Sequence, residues 1–221
     1  MTAAWSVVVP VGPGDGAWHG LLSDLEDLPG DCEVLLVFAH GHRPDVPPAA
    51  PVRCIEAPAG RARQLNAGIA AASRPRVCLL HADSRLPAEA RAALLAFEPG
   101  ESELGYFDLG FHDGPWLMRL NSLGVGLRSR VFGLPFGDQG FCAQRALFGR
   151  LGGFDPAIGP GEDHAMVWRL RAAGGSLRPL RARITTSARR YVVHGWWATT
   201  FRFARLTLQQ AHRFRRREAS R

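Results

Sequence analysis

The stretch Arg61-Ala-Arg-Gln-Leu-Asn-Ala-Gly-Ile-Ala-Ala-Ala-Ser73 leads through Arg74-Pro75 into Arg76-Val-Cys-Leu-Leu80, and His81-Ala82-Asp83-Ser84 follows. Alanine and leucine at helical spacing predict a helix over residues 61–73, which Pro75 ends. The apolar run over residues 76–80 predicts a strand. A helix that returns so directly into an apolar strand is typical of a β-α-β unit. Ligands of such sheets bind at the carboxyl ends of the strands, where Asp83 falls.

The sequence on either side continues this alternation. Further strands are predicted over residues 7–11, 33–38, 52–56, 104–111, 141–144 and 177–187, and further helical segments over 87–97, 116–130, 147–154, 162–173 and 194–217. The sequence therefore predicts an α/β fold with a Rossmann-like, mostly parallel sheet flanked by helices and a basic C-terminal helix. We expect one domain over residues 1–221, divided into halves at about 1–98 and 99–193 and a final helix at about 194–217.

The composition is that of a soluble globular protein, with 46% hydrophobic and 21% charged residues. No apolar stretch reaches the roughly eighteen residues of a membrane span, and the N-terminus does not predict a signal peptide. The four cysteines form no C-x-x-C pair, which favours free thiols and a cytoplasmic location over a structural zinc site. They are Cys32, Cys54, Cys78 and Cys142.

Positive charge is concentrated towards the C-terminus. The formal net charge is +7, yet residues 178–221 hold twelve arginines and a single acid, Glu218. Such a segment could meet anionic lipid, nucleic acid or a phosphorylated substrate. Its aromatic residues, among them Trp196 and Trp197, suit base stacking, core packing or a membrane surface. We favour an anionic membrane surface contacted by the C-terminal helix, at the inner membrane face, and we consider nucleic acid an unlikely partner.

Two acidic positions about eighty residues apart carry the chemistry. Asp83 follows a predicted strand, where a carboxylate can hold a hard divalent cation such as Mg²⁺ or Mn²⁺; the alternative is a helix or turn cap before Pro87. Glu162 and Asp163 begin a predicted helix, where one of them could take a proton from a substrate hydroxyl. Adjacent acids are also common at helix starts because the helix dipole favours them.

A series of motifs occurs in a characteristic order. It comprises Val7-Val-Val-Pro10, Gly60-Arg-Ala-Arg-Gln-Leu-Asn-Ala-Gly68, His81-Ala82-Asp83-Ser84, Gly137-Asp138-Gln139-Gly140, Glu162-Asp163 and Thr185-Thr-Ser-Ala-Arg189-Arg190, with His194 beyond. This series resembles the family 2 glycosyltransferases of GT-A fold, and within them a small bacterial subgroup with a His-Ala-Asp-Thr/Ser metal motif. The resemblance runs from about residue 5 to about residue 205.

The resemblance implies a metal-dependent and inverting transfer of a sugar from a nucleoside diphosphate sugar to an acceptor that the sequence does not identify. It implies that Asp83 binds the divalent metal, with His194 as a further ligand or diphosphate contact. Asp163 would be the catalytic base beside Glu162. The substrate-binding positions would be Pro10, Arg61, Arg63, His81, Ala82, Asp138, Gln139, Arg189 and Arg190.

Several of these residues have a second interpretation. Arg61 and Arg63 open a helix, where arginine adds bidentate phosphate recognition, but they could be ordinary solvated arginines. Asp138 could bind a sugar hydroxyl or cap a turn. Asn66 and Gly68 are expected to serve helix packing.

The chain departs from the family where the nucleoside is held. Family members usually carry Asn-Glu after the first Val-Pro and an Asp at the end of the second strand. Here the first region is Val11-Gly-Pro-Gly-Asp15-Gly16, and the second strand ends in Val37-Phe-Ala-His40. The nucleoside is therefore expected to be held differently. A second hypothesis is a non-catalytic protein of the same fold that binds a sugar nucleotide or a protein partner.

Overall fold

A computed structural model describes residues 4–43, 52–202, 205–207 and 209. Its centre is a seven-stranded sheet in the order β3-β2-β1-β4-β6-β5-β7. The strands are β1 (Trp5–Val11), β2 (Glu33–Ala39), β3 (Val52–Ala57), β4 (Arg76–Leu79), β5 (Glu103–Phe111), β6 (Phe141–Gln144) and β7 (Ser176–Thr186). Only β6 runs against the other strands of this sheet, so the prediction of a mostly parallel sheet is confirmed.

The helices of the described chain cover both faces of the sheet. They are α1 (Trp18–Leu25), α2 (Arg61–Ala71), α3 (Ala88–Ala96), α4 (Met118–Val131), α5 (Arg145–Arg150), α6 (Glu162–Ala172) and α7 (Arg189–His194). Buried residues of α1 and α3 form one core with the odd-numbered residues of β1. Those of α2, α5 and α6 form a second core on the opposite face, with Val8. Both faces are covered at the centre of the sheet, so β1 and β2 are buried at every position rather than at alternate ones.

Pro10 lies in the central strand β1, where a proline normally removes a hydrogen bond between strands. Val8 faces β4, because its carbonyl accepts a hydrogen bond from Leu80 N at 3.0 Å. Pro10 is two residues further along, so its backbone nitrogen points to the same edge of the strand, towards β4. The pairing of β1 with β4 ends at Val8 and Leu79, so the missing N–H of Pro10 has no strand opposite it. The proline thus marks the point where the sheet opens towards a site.

Two parts of the helical prediction differ from the structure. Helix α1 was not predicted, since it has eight residues and follows a segment rich in glycine and proline. The C-terminal helix was predicted to begin at about His194, and the short helix α7 before it was not predicted. His194 ends α7, Gly195 adopts a φ of 80°, and helical structure resumes at Trp196. A side chain would be strained at that φ, so Gly195 separates two helices. The rest of the predicted helix lies largely outside the described residues.

All four cysteines are free, as predicted. Three are buried, and Cys78 and Cys142 are register partners on β4 and β6 whose sulfur atoms lie 3.2 Å apart. Among the residues that the structure describes, no helix is long and apolar enough to cross a membrane.

Candidate functional site

The candidate site lies at the carboxyl ends of β1, β2 and β4, where α2 begins. Gln64, in the first turn of α2, joins the ends of two strands: its Nε2 donates to the carbonyls of Val11 and Val37, both at 2.7 Å. The side chain is buried, so these bonds satisfy carbonyls that would otherwise lack partners at the end of the sheet. Sequence reasoning gave Gln64 no role, although a polar residue among apolar helix positions was a signal for one.

Arg61, the first residue of α2, connects three of the predicted site residues. Its Nε donates a short hydrogen bond to Glu162 Oε1, and its Nη2 lies 3.5 Å from Asp163 Oδ2. Its Nη1 lies 3.1 Å from Nε2 of His81. The amino ends of α2 and α6 therefore meet through one guanidinium group, across 101 residues of sequence. Arg61 keeps 37% of its side chain exposed, so it also faces solvent.

Asp163 is ionised by its surroundings. Its Oδ2 accepts from Gly137 N at 2.8 Å, and its Oδ1 accepts from His164 N at 2.8 Å. Burial opposes ionisation, but Arg61 and these two backbone N–H groups outweigh it, and the pKa of Asp163 is lowered. The carboxylate is therefore charged at neutral pH, which a proton acceptor requires.

His81 is neutral. Burial, and next to it the positive charge of Arg61, lower the pKa of the imidazole to about 3. A guanidinium group can only donate, so the 3.1 Å contact makes Nε2 of His81 the acceptor and leaves the ring proton on Nδ1. His81 thus orients Arg61 instead of adding charge to the site.

The turn Gly137–Gln139, a single 3₁₀ turn, closes the site from the side of β6. A Cβ atom at Gly137 would lie 3.1 Å from Asp163 Oδ2 and 3.4 Å from His81 Nε2. Glycine therefore lets the backbone approach the carboxylate closely enough to donate to it.

Asp138, in the same turn, is the least compensated acid of the group. Its Oδ1 is buried and has no hydrogen-bond partner among the described residues. Burial raises the pKa of Asp138, and Arg128 offsets this only in part. The charges of Asp163 and Asp83 act in the same direction as burial, which shows that the three carboxylates share one electrostatic environment. A carboxylate in this state can take up a proton, accept a hydrogen bond from a hydroxyl group or bind a cation.

Gln139 points inward, away from solvent. It is fully buried, and its Nε2 donates to Phe107 O at 2.9 Å. Its Oε1 accepts from Phe136 N at 3.2 Å and from Arg128 Nη2 at 3.1 Å. With both ends of its amide engaged, Gln139 shapes the pocket wall, and the direct substrate contact predicted for it gains no support. Arg128, which sequence reasoning did not single out, packs its guanidinium 3.5 Å from the ring centre of Phe136.

Asp83 lies half-buried in the turn that follows β4, next to buried Ala82. In this turn Ser84 N donates to His81 O at 3.1 Å. Directly after it, Arg85 exchanges backbone hydrogen bonds with Thr185 at 2.7 and 3.2 Å. The end of β7 is thereby attached beside Asp83.

The arginines after β7 approach the same edge of the sheet. Arg189 lies 3.3 Å from Asp15 Oδ2, and Asp15 together with Asp83 raises the pKa of its guanidinium. Arg190 is exposed and contributes to the lowered pKa of His81. Both arginines therefore lie within electrostatic range of the residues that follow β4.

Two predicted site residues lie further out. Arg63 is exposed and donates to Ala59 O at 3.2 Å, in the loop before α2. His194 is exposed at the end of α7. Within the described ranges, no group of three or more His, Cys, Asp or Glu side chains could hold a metal ion. The role of His194 as a ligand stays a prediction. A metal at Asp83 would fit a set of oxygen ligands completed by substrate, and the unpartnered oxygen of Asp138 supports such a fit.

The end of β2 lacks the acid that the family resemblance predicts, but an acid from the next strand lies close to it. Glu56 of β3 accepts a hydrogen bond from Gly41 N at 3.0 Å, in the loop that follows β2. The two strands are paired in register up to Ala39 and Ala57, which brings Glu56 to this edge. Sequence spacing alone could not show this, because strand order is a tertiary property.

Comparisons with known proteins bear on the fold. No family model and no curated protein sequence matches the chain. Among solved structures, the chain is similar to the mannosyltransferase PcManGT from Pyrobaculum calidifontis, solved in complex with GDP-mannose and Mn²⁺. The TM-score is 0.59 at 18% sequence identity. The match covers 85% of this chain and 57% of the longer one. The chain thus shares the α/β fold of that structure, with a sheet flanked by helices as predicted.

Proposed function

We propose that the protein is a metal-dependent, inverting glycosyltransferase that moves a sugar from a nucleoside diphosphate sugar to an acceptor hydroxyl. The observation that carries this proposal is the contact of Arg61 with Glu162, Asp163 and His81 at the carboxyl edge of the sheet. That edge is where α/β sheets bind ligands. The fold shared with a mannosyltransferase supports the same function.

The donor diphosphate is assigned to the arginines at this edge. Arg61 keeps 37% of its side chain exposed, and Arg189 and Arg190 lie on the segment attached beside Asp83. Arginine suits phosphate because its planar donors match the oxygens bidentately. PcManGT was solved with GDP-mannose and Mn²⁺, which makes these two the first probes to use.

Asp83 is assigned to the divalent metal, Mn²⁺ or Mg²⁺, with the donor's oxygens completing the ligand set. When bound, such a metal acts as a Lewis acid that offsets the charge of the departing diphosphate. Asp138 lies in the electrostatic field of Asp83, so its pKa would fall towards the ordinary range once a cation is present.

Asp163 is assigned as the general base. It would take the proton of the acceptor hydroxyl as that oxygen attacks the anomeric carbon from the face opposite the diphosphate. The bond to the diphosphate breaks as the new glycosidic bond forms, so the configuration inverts. Glu162 is 3% exposed and accepts from Arg61 and from Gly161 N at 3.0 Å, so it acts by positioning Arg61.

Calorimetric titration tests the donor site. GDP, UDP and GDP-mannose would be added to the purified chain with Mn²⁺, with Mg²⁺ and without metal. We expect binding that requires metal and is lost in Asp83→Ala. Glu98→Ala is the matched control, because Glu98 pairs with Arg76 at the opposite end of β4 and is 79% exposed. Equal binding by Asp83→Ala and wild type would refute the metal role.

The second candidate is a non-catalytic sugar-nucleotide or partner-binding protein. It is favoured by the end of β2, where Ala39 and His40 stand in place of an acid. The two functions differ in turnover: a binding protein would bind the nucleotide sugar with metal but neither hydrolyse it nor transfer its sugar over prolonged incubation.

A further inference from the structure

Large exposed hydrophobic side chains cluster in two segments of the described chain. Across the described part of the chain, the large hydrophobic residues that are exposed all lie within residues 116–132 and 192–201. They are Trp116, Leu120, Leu123, Leu127, Val131, Phe132, Val192, Val193, Trp197 and Phe201. Single exposed hydrophobic residues are ordinary, but a contiguous patch marks a surface that binds something.

In the first segment, the exposed residues form one stripe. Leu120, Leu123, Leu127 and Val131 follow each other at intervals of three or four, which places them on one side of α4, and Trp116 lies in the turn just before this helix. The opposite side of α4 packs on the core through Met118, which is 4% exposed. The stripe is therefore an outward face of a helix that is already anchored to the sheet.

The second segment lies against the first. Trp196 Nε1 donates to Asn121 Oδ1 at 2.6 Å, and Asn121 Nδ2 lies 3.3 Å from Thr200 Oγ1. The neighbouring rings of Trp197 and Phe201 stack with centroids 6.0 Å apart. The helical segment after Gly195 thus extends the stripe of α4. We call this combined surface, from residues 116–132 and 192–201, the apolar face.

The two segments of the apolar face carry charge of a single sign, whereas Asp108, which pairs with Arg130 of α4 at 2.6 Å, and Asp113 lie outside them in the lining of a neighbouring groove. The sequence contains no Asp or Glu between residues 114 and 136, and none between residues 164 and 217. Exposed arginines lie in both segments or directly after them, at Arg119, Arg202 and Arg205. A second copy of the chain would bring arginines against arginines. An anionic surface that also accepts hydrophobic side chains satisfies both features.

We propose that the apolar face docks this protein on an anionic phospholipid membrane. The stripe of α4 and the helix after Gly195 would enter the boundary between headgroups and acyl chains, with tryptophan at the interface and arginine contacting lipid phosphates. The sequence suggested membrane contact through the C-terminal helix alone. In this proposal α4 supplies the larger part of the contacting surface.

The apolar face also borders a groove of about 1090 Å³, lined by α4 and by the ends of β5 and β7. The groove reaches Thr185, whose backbone pairs with Arg85, two residues after Asp83. Docking through the apolar face would therefore hold this groove at the membrane surface.

Vesicle co-sedimentation of the full chain tests the proposal without any turnover, so its failure is distinguishable from failure of the proposed function. Vesicles would contain phosphatidylcholine, with or without phosphatidylglycerol. We expect binding to the anionic vesicles that weakens with added salt. Leu123→Gln/Leu127→Gln should reduce it more than ten-fold, and these side chains are 70% and 57% exposed, which leaves the core intact.

A charge variant and its control separate the contributions. Arg119→Gln/Arg202→Gln should weaken binding to anionic vesicles, whereas Arg150→Gln/Arg178→Gln, which removes two exposed arginines outside the apolar face, should not. Equal loss in both double variants would overturn the proposal. The proposal would also be overturned if wild type failed to bind vesicles and instead formed a dimer in sedimentation velocity that Leu123→Gln/Leu127→Gln dissociates. Tight binding to RNA or DNA without binding to vesicles would also overturn it.

Discussion

Replacing Gly68 with alanine should destabilise the protein, although alanine is the better helix former. Gly68 lies in α2 where the helix crosses β1 and β2. An added Cβ would lie 2.2 Å from Val8 Cγ1 and 3.0 Å from Val37 Cγ2, well inside normal contact distance. Both valines are fully buried in the sheet, so neither can move aside without displacing a strand.

The size of the effect follows from two opposing terms. Alanine gains about 1 kcal/mol of helix propensity over glycine. Overpacking a filled core costs about 1–3 kcal/mol, and a contact of 2.2 Å belongs at or above the upper end of that range. We therefore expect a net loss of about 2 kcal/mol in the free energy of unfolding, which corresponds to a decrease of about 4–8 °C in Tm for a chain of this size.

Urea denaturation followed by circular dichroism measures this loss. Gly124→Ala is the control, because Gly124 is also inside a helix and an added Cβ there has no neighbour within 4 Å. It should stabilise the protein by about 0.4–1 kcal/mol. If Gly68→Ala were as stable as Gly124→Ala, the close packing of α2 on the sheet would be wrong. The placement of Arg61 and Gln64, which depends on it, would then be wrong as well.

Three further predictions concern ionisable groups and the site. Glu33 accepts hydrogen bonds from Ser6 Oγ at 2.6 Å and Ser73 Oγ at 2.8 Å. Its pKa is lowered from the usual 4.5 to about 2. The ionised carboxylate therefore stabilises the fold above pH 4.5, and this stability is lost as the pH falls towards 2. Glu33→Gln should therefore lower the free energy of unfolding at pH 7 by about 3 kcal/mol and flatten its acid dependence in urea titrations. Asp163→Asn should reduce turnover by about 10²–10⁴-fold with nucleotide affinity nearly unchanged in calorimetry, and a normal rate would exclude it as the base. Because the pKa of Asp163 is lowered, wild-type turnover with metal present should stay constant from neutral pH into the acid range of ordinary carboxylates, and an acid limb nearer neutrality would exclude Asp163 as the group that limits it.

The sequence predicts the sheet well where each strand is an apolar run with clear boundaries. Strands β2 and β4 were predicted within one residue of their observed ends, because glycine or proline lies close to each of them. Helix α7 and the break at Gly195 were not predicted, because the predicted C-terminal helix began at about His194 and so included Gly195. Helix propensity is a weak signal beside the φ that a single glycine adopts.

The site was predictable only in part. The sequence showed that Asp83 follows a strand and that Glu162 and Asp163 begin a helix, which indicated where carboxylates could act. The partners of these acids could not be deduced, since Arg61 reaches Glu162 through the packing of α2 beside α6. The direction of Gln139 was equally hidden, because its inward position follows from carbonyls and side chains that the sheet and α4 bring around it.

The balance of charge at the candidate site bears on how a metal and a diphosphate would enter it. Four carboxylates, at positions 83, 138, 162 and 163, share this edge of the sheet with the arginines at 61, 128, 189 and 190. A free diphosphate would meet the uncompensated acid Asp138, and a free cation would meet several guanidinium groups. A complex of the two carries less charge and presents oxygens to the arginines and a cation to the acids. The binding of metal and of nucleotide should therefore be coupled. By linkage, bound metal should raise the affinity for nucleotide by the same factor as bound nucleotide raises the affinity for metal.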